Sequence, residues 1–196
     1  TCQSYPGHFH WGSTDLHHDW QIQSASHSTI VVDRRNQSGM KDYIKDHYMP
    51  HPSEQIFYED GKNAAVTVAY NDRIYPGVKI WRAVSILDGA YLVIEILRSN
   101  KEHVYDRWFH GVPDQSNGLE GIPLDMKLRN DPLGSEGGYQ TLTNLSSAVT
   151  GKNLNCDWIV PVSGKRKQFM LSMSVLNNTP LEVIHGFEWS HQFRTR

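Results

Sequence analysis

Val78-Lys79-Ile80-Trp81-Arg82-Ala83-Val84-Ser85-Ile86-Leu87, then Asp88-Gly89, then Tyr91-Leu92-Val93-Ile94-Glu95-Ile96-Leu97, is the stretch from which the fold is read. The first run alternates as a half-buried strand does, and the second is nearly continuous apolar chain. An Asp-Gly turn stands between them. The same grammar extends outward in both directions. Residues 64–70 alternate with Val66, Val68 and Tyr70 on one face, residues 28–33 (STIVVD) form a short β-branched run, and residues 103–109 place Val104 and Trp108 opposite Tyr105 and Phe109. Further strands are expected over residues 122–128, 140–149, 156–162, 168–176 and 181–189. Turn residues separate the runs at Asn71-Asp72, Tyr75-Pro76-Gly77, Gly137-Gly138, Ser163-Gly164 and Asn177-Asn178. No segment carries a sustained 3.6-residue apolar stripe; the best helix candidate, residues 39–48, is short. About nine short strands predict an all-β fold, an antiparallel β-sandwich of two packed sheets. Trp81, Trp108, Phe169, Leu171 and Met173 are the expected contributors to the layer between the sheets. Residues 1–26 read as an irregular segment leading into a sandwich over residues 27–196.

Composition narrows the function. The chain has 196 residues, 38% hydrophobic and 11% aromatic, with six Trp and nine Tyr. That is one domain's length, too aromatic for a disordered segment and too polar for a membrane protein. No apolar run approaches the roughly 20 residues of a membrane helix. A formal net charge of −2 argues against a general electrostatic nucleic-acid binder. Two cysteines, Cys2 and Cys156, exclude a disulfide framework and a four-cysteine zinc site, and leave a single bridge open. The chain begins at Thr1 without a signal-peptide pattern, so the expectation is a processed chain or part of a longer one.

Eleven histidines are the chemical signature, and many lie near the start: His8-Phe9-His10-Trp11, Asp15, His17-His18-Asp19-Trp20 and His27. His and Asp are common zinc ligands, and imidazoles act as acids and bases near neutral pH. A His-X-His pair such as His8 and His10, if on a strand, projects both rings to one face. The competing reading is loop histidines that satisfy backbone carbonyls. Spacing alone does not separate the two.

The run His17-His18-Asp19-Trp20, with His27-Ser28-Thr29-Ile30-Val31-Val32-Asp33-Arg34-Arg35-Asn36-Gln37 after a gap of six residues, resembles the heparinase II/III-like polysaccharide lyases where their β-sandwich begins. The strand pair around Asp88-Gly89 and the element His103-Val104-Tyr105-Asp106-Arg107-Trp108-Phe109-His110-Gly111 are similar to later segments of that family. The likeness is good over about residues 1–115 and looser beyond.

The resemblance implies a sandwich partnered by an N-terminal (α/α) toroid, with an anionic polysaccharide or oligosaccharide in the cleft between them. It implies β-elimination at a uronate: the carboxylate is neutralised, a base takes the proton α to it, and an acid protonates the departing glycosidic oxygen. It also implies a structural zinc, with His27 matching the family's last ligand. Ser28 stands where the family usually has Asn, so that neighbourhood departs from the pattern. If Thr1 is the threonine of the family's Asp-Pro-Gly-Thr turn, the other ligands lie upstream of this chain; a rival alignment makes His8 and His10 the pair. Tyr5 corresponds to a substrate-side tyrosine. Tyr5, Trp11, His18 and Trp20 are the candidate substrate contacts, because aromatic rings stack on sugars; for Trp20 the alternative is a plug at the sandwich end. Nothing matches the toroid's catalytic Asn, His and Tyr, so the catalytic residues are unassigned and the chain alone is expected to be inactive.

Other features read more simply. Arg34 and Arg35 suit a uronate carboxylate or a solvated turn. Lys165-Arg166-Lys167 reads as a hairpin tip, with anionic polysaccharide as its alternative ligand. His103 and His110 are expected to satisfy backbone carbonyls. Two rival classes stand beside the lyase: a non-catalytic carbohydrate-binding or structural sandwich, and an independent metal domain using His8, His10 and His27. The substrate class implies a periplasmic or secreted location, with no membrane partner.

Overall fold

The computed structural model of the chain describes residues 17–37, 52–88, 90–110, 121–161, 168–176 and 179–187. Strands make up 53% of these residues and helical turns 8%, so the fold is all-β. Every strand pair with a described register is antiparallel, the make-up expected of a sandwich. The expected helix at residues 39–48 lies outside the described residues. No described helix is long and apolar enough to cross a membrane. Two compact units divide the chain, Ile30–Asp106 and Thr1–Thr29 with Arg107–Arg196.

The first unit holds β1 (Ile30–Val32), β2 (Glu54–Asp60), β3 (Ala64–Asn71), β4 (Val78–Leu87) and β5 (Ala90–Ser99), and β6 (Tyr105–Arg107) begins at its end. β2, β3, β4 and β5 form one sheet in chain order, and β1 pairs with β6. Register sets the faces. Tyr70 lies opposite Trp81, which lies opposite Ile96. Because side chains alternate, Val66, Val68 and Tyr70 share a face with Trp81, Ala83, Ile94 and Ile96. The other face carries a cross-strand ion pair in which Arg82 Nε donates to Glu95 Oε1 at 2.7 Å. A small core of Ile30, Val32, Tyr75 and Val78 is buried, with Ile74, Ile80 and Leu97 packed against it.

Turns in this unit are closed by side chains. Asn71 Oδ1 accepts from the Arg73 and Ile74 amides at 2.8 and 2.9 Å, an Asx turn at the end of β3. After β1, Asp33 and Arg34 both take positive φ, 52° and 57°, and Arg35 N–H closes onto Val32 C=O at 3.1 Å. Arg34 also lies 3.6 Å from Asp106, which explains the first arginine without a ligand.

Asp33 holds the far side of that turn. Its Oδ1 accepts from Val104 N–H at 3.0 Å, and His103 Nδ1 lies 2.7 Å from its Oδ2. The expected carbonyl partner of His103 is therefore a carboxylate. The hydrogen bond from His103, then that from Val104, hold the Asp33 carboxyl below its ordinary 3.8. A depressed carboxylate contributes stability above the unfolded value and loses it as pH falls through the folded one. Acid titration of the wild-type chain should therefore show destabilisation setting in below about pH 3.8 that Asp33→Asn lacks. The effect is small because the side chain is 41% exposed and solvent screens it. Parallel acid-melting curves for the two proteins check this.

The second unit contains β7 (Lys127–Leu128), β8 (Thr143–Thr150), β9 (Leu154–Pro161), β10 (Gln168–Val175) and β11 (Leu181–Phe187). β8 is central between β11 and β7, and β9 pairs with β10. Among the described residues, Trp20, Ala25, Leu133, Tyr139, Leu145, Leu154 and Cys156 are its buried apolar ones. Cys156 is a free, buried thiol; Cys2 lies outside the described residues.

Two expectations are corrected, and one strand was not expected. Only Lys127–Leu128 of residues 122–128 forms a strand. Pro123 has no amide hydrogen, and Leu124 and Met126 donate two residues back, to Ile122 and Leu124 at 2.8 and 2.9 Å, so the backbone bonds close locally. Strand β2 (EQIFYED) is unanticipated, because its acidic ends mask the run. The expected interlayer residues Trp81, Trp108 and Met173 are only half-buried, whereas Trp20 and Tyr139, from the irregular segment and a turn, are buried. Alternation identifies a strand's faces but not what covers them.

Candidate functional site

His27 sits where the irregular segment ends and β1 approaches. A π-helical turn over His17–Gln21 carries Trp20, followed by a 3-10 turn over Ser24–Ser26. Ser26 Oγ ties the two together, within 3.0 Å of Gln21 C=O and 2.8 Å of Gln23 C=O, with Ser26 itself buried. Small residues make this tight path possible: Ser24, Ala25 and Ser26 are all buried. The next residue is His27, whose N–H donates to Ser24 C=O at 3.2 Å.

The His27 ring is half-buried. Burial, then the charge of nearby His110, hold its pKa below the ordinary 6.5, against a hydrogen bond to the Gln21 backbone. Both causes favour the neutral imidazole, the form that binds metal or accepts a proton.

His110 is fixed on four sides. Its N–H donates to Ser28 Oγ at 3.2 Å, and its Nε2 lies 2.8 Å from Ala25 C=O. A carbonyl accepts only, so Nε2 carries the proton and Nδ1 is the basic nitrogen when the ring is neutral. Trp108 stacks parallel on the ring at 5.5 Å, and Trp20 meets it edge-on at 5.9 Å. The carbonyl role expected for His110 is what is observed. Trp108 is oriented in turn by its indole N–H, which donates to Tyr139 Oη at 3.0 Å.

Gly138 closes the cluster beneath Trp20. It has φ 91°, and a Cβ there would lie 3.0 Å from Gln23 Cβ and 3.2 Å from the Trp20 ring. Tyr139 and Gly138 belong to the site's framework, and the sequence flagged only a Gly-Gly turn there.

The other candidates fall as follows. Tyr5, His8, His10 and Trp11 lie outside the described residues. His18 lies in the π-helical turn by its backbone, and its side chain is outside what is described. Trp20 is 1% exposed, its ring against His110 and Gly138, so a sugar meets no free indole face in this arrangement. Among the described residues no three His, Cys, Asp or Glu side chains converge to hold a metal. Of the sequence-predicted metal set, His27 is the one residue within the described part.

Comparison with protein families adds a match over residues 5–175 to the family described as heparinase II/III-like, C-terminal. Comparison with curated proteins gave no match.

Proposed function

The chain belongs to the heparinase II/III-like C-terminal family, and on that premise we propose that it is the β-sandwich part of a polysaccharide lyase cleaving a uronate-containing polymer, such as alginate or a glycosaminoglycan, by β-elimination. The observation that carries this reading is the family match over residues 5–175, which takes in the ordered His27 cluster. The acid and base belong to an N-terminal (α/α) toroid of the same protein, and Tyr5, Trp11 and His18 are this chain's proposed sugar contacts. Trp20, buried against His110, is left out of the proposed sugar contacts. The site of action is periplasmic or extracellular, where such polymers are met.

β-Elimination leaves a double bond conjugated to the uronate carboxylate. The test is therefore the ultraviolet absorbance of unsaturated uronate when the full-length protein is incubated with alginate, hyaluronan or heparan sulfate. Absorbance growing on one polymer supports the lyase. Saturable binding without any absorbance change replaces it with a carbohydrate-binding module.

Zinc enters the same proposal as a structural ion, with His27 one ligand and the others earlier in the protein. A neutral imidazole held by a tight backbone path suits that part. When bound, the ion would crosslink the start of the sandwich to the segment before it. Metal analysis of the full-length protein should find about one zinc per chain, lost in His27→Ala together with a lower melting temperature. Unchanged zinc content in that variant would sink the assignment and direct attention to His8 and His10.

A further inference from the structure

We propose that the Lys79–Arg98 end of the four-stranded sheet is a binding subsite for an acidic sugar, its anionic group held between the two cations and its ring beside Trp81. Lys79 on β4 and Arg98 on β5 are direct cross-strand partners. Like charges placed opposite each other repel, and a sheet normally avoids the pairing. Both side chains are exposed, and among the described residues neither has a carboxylate partner. The opposite face shows the contrast. There Arg82 and Glu95, also cross-strand partners on the same two strands, neutralise each other. One cross-strand pair on these strands is thus neutralised, and the other brings two cations together.

The surroundings suit a sugar. Lys79, Arg98, Ser99, Asn100 and Tyr105 line an open cavity of about 570 Å³, within the usual size range of ligand pockets. Gly77, at its edge with φ 84°, has nothing within 4 Å of where a Cβ would stand, so the mouth is open. The Arg98 guanidinium lies 5.7 Å from the centre of the Trp81 ring, and Trp81 contacts Tyr70 at 5.0 Å. Arg98 also borders a neighbouring apolar hollow of about 310 Å³ that runs over Val68, Trp81, Ala83 and Ile94. Cations beside an aromatic, with amide and phenol groups nearby, match an anionic group on a sugar ring. A neutral sugar leaves the two cations uncompensated, and a bare anion leaves the aromatic unused. Carboxylate and sulfate share this chemistry. The choice of uronate as the natural source rests on the lyase reading; the choice of an acidic sugar does not.

The test is calorimetric titration of the full chain with three oligosaccharides of equal length: unsulfated alginate, sulfated heparin-derived, and neutral maltose-series. The wild type should bind an acidic chain, more weakly as salt rises, and the neutral one not measurably. Lys79→Gln with Arg98→Gln should weaken acidic binding about tenfold or more while the melting temperature holds or rises, since a repulsion is removed. Trp81→Phe should weaken it less. Preference for alginate names the uronate carboxylate as the source, and preference for heparin names sulfate. Equal binding of neutral sugar, or unchanged affinity in the double variant, overturns the subsite. The lyase reading fails separately: acidic binding through Lys79 and Arg98 in a full-length protein that cleaves no uronate polymer leaves this site standing and that one fallen.

Discussion

Trp20→Ala lowers the stability of the chain by about 3–5 kcal/mol, the range for deleting a large buried aromatic. Trp20 is 1% exposed, its indole in a T-shaped pair with the His110 ring and close enough to Gly138 that a Cβ there would lie 3.2 Å from it. Truncation leaves a cavity that the neighbours cannot collapse into, because Ala25 C=O holds His110 and Tyr139 Oη holds Trp108. A second substitution sharpens the point. The Trp20 indole N–H is buried with no hydrogen-bond acceptor among the described residues. Trp20→Phe removes that unsatisfied donor along with some apolar area, so its cost should be well below that of alanine, on the order of 1 kcal/mol. Denaturant melts of the three proteins check the order. An alanine variant as stable as wild type would mean that Trp20 is not core, and would return it to the sugar-contacting residues.

The second large effect is at Gly138. Gly138→Ala should cost about 2–4 kcal/mol, in two parts with different origins. A left-handed backbone costs an alanine about 1–2 kcal/mol, since φ there is 91°. Crowding adds about 1–2 kcal/mol, because the new methyl would meet Gln23 Cβ at 3.0 Å and the Trp20 ring at 3.2 Å. The parts separate in a double-mutant cycle. In a Trp20→Ala background the ring clash is gone and the backbone strain remains, so Gly138→Ala should cost about 1 kcal/mol less there than in wild type. Additive effects would show that Gly138 and Trp20 do not meet.

The motif His27-Ser28-Thr29-Ile30-Val31-Val32-Asp33 singles out His27, whose metal role is a proposal, whereas the carbonyl role expected for His110 is observed. Tyr139 and Gly138 were not visible as partners of Trp108 and Trp20, for they belong to a turn far along the chain. Trp20 carried two readings because an aromatic in an irregular segment suits either a sugar or a core. Burial distinguishes the two, and burial is not written locally. Among the strands, β4 lies over the predicted residues, whereas residues 122–128 were overextended because Pro123 and local turns outweighed apolar content.

What the sequence by itself determined is the strand grammar and the family: alternation and turn chemistry act over a few neighbouring residues, and a motif is contiguous by definition. The tertiary structure decided which distant groups meet. Ala25 and His110 are 85 residues apart and bonded at 2.8 Å, and Lys79 faces Arg98 only because the β4–β5 register puts it there. Such encounters depend on packing and register across the whole unit, and no local pattern encodes them.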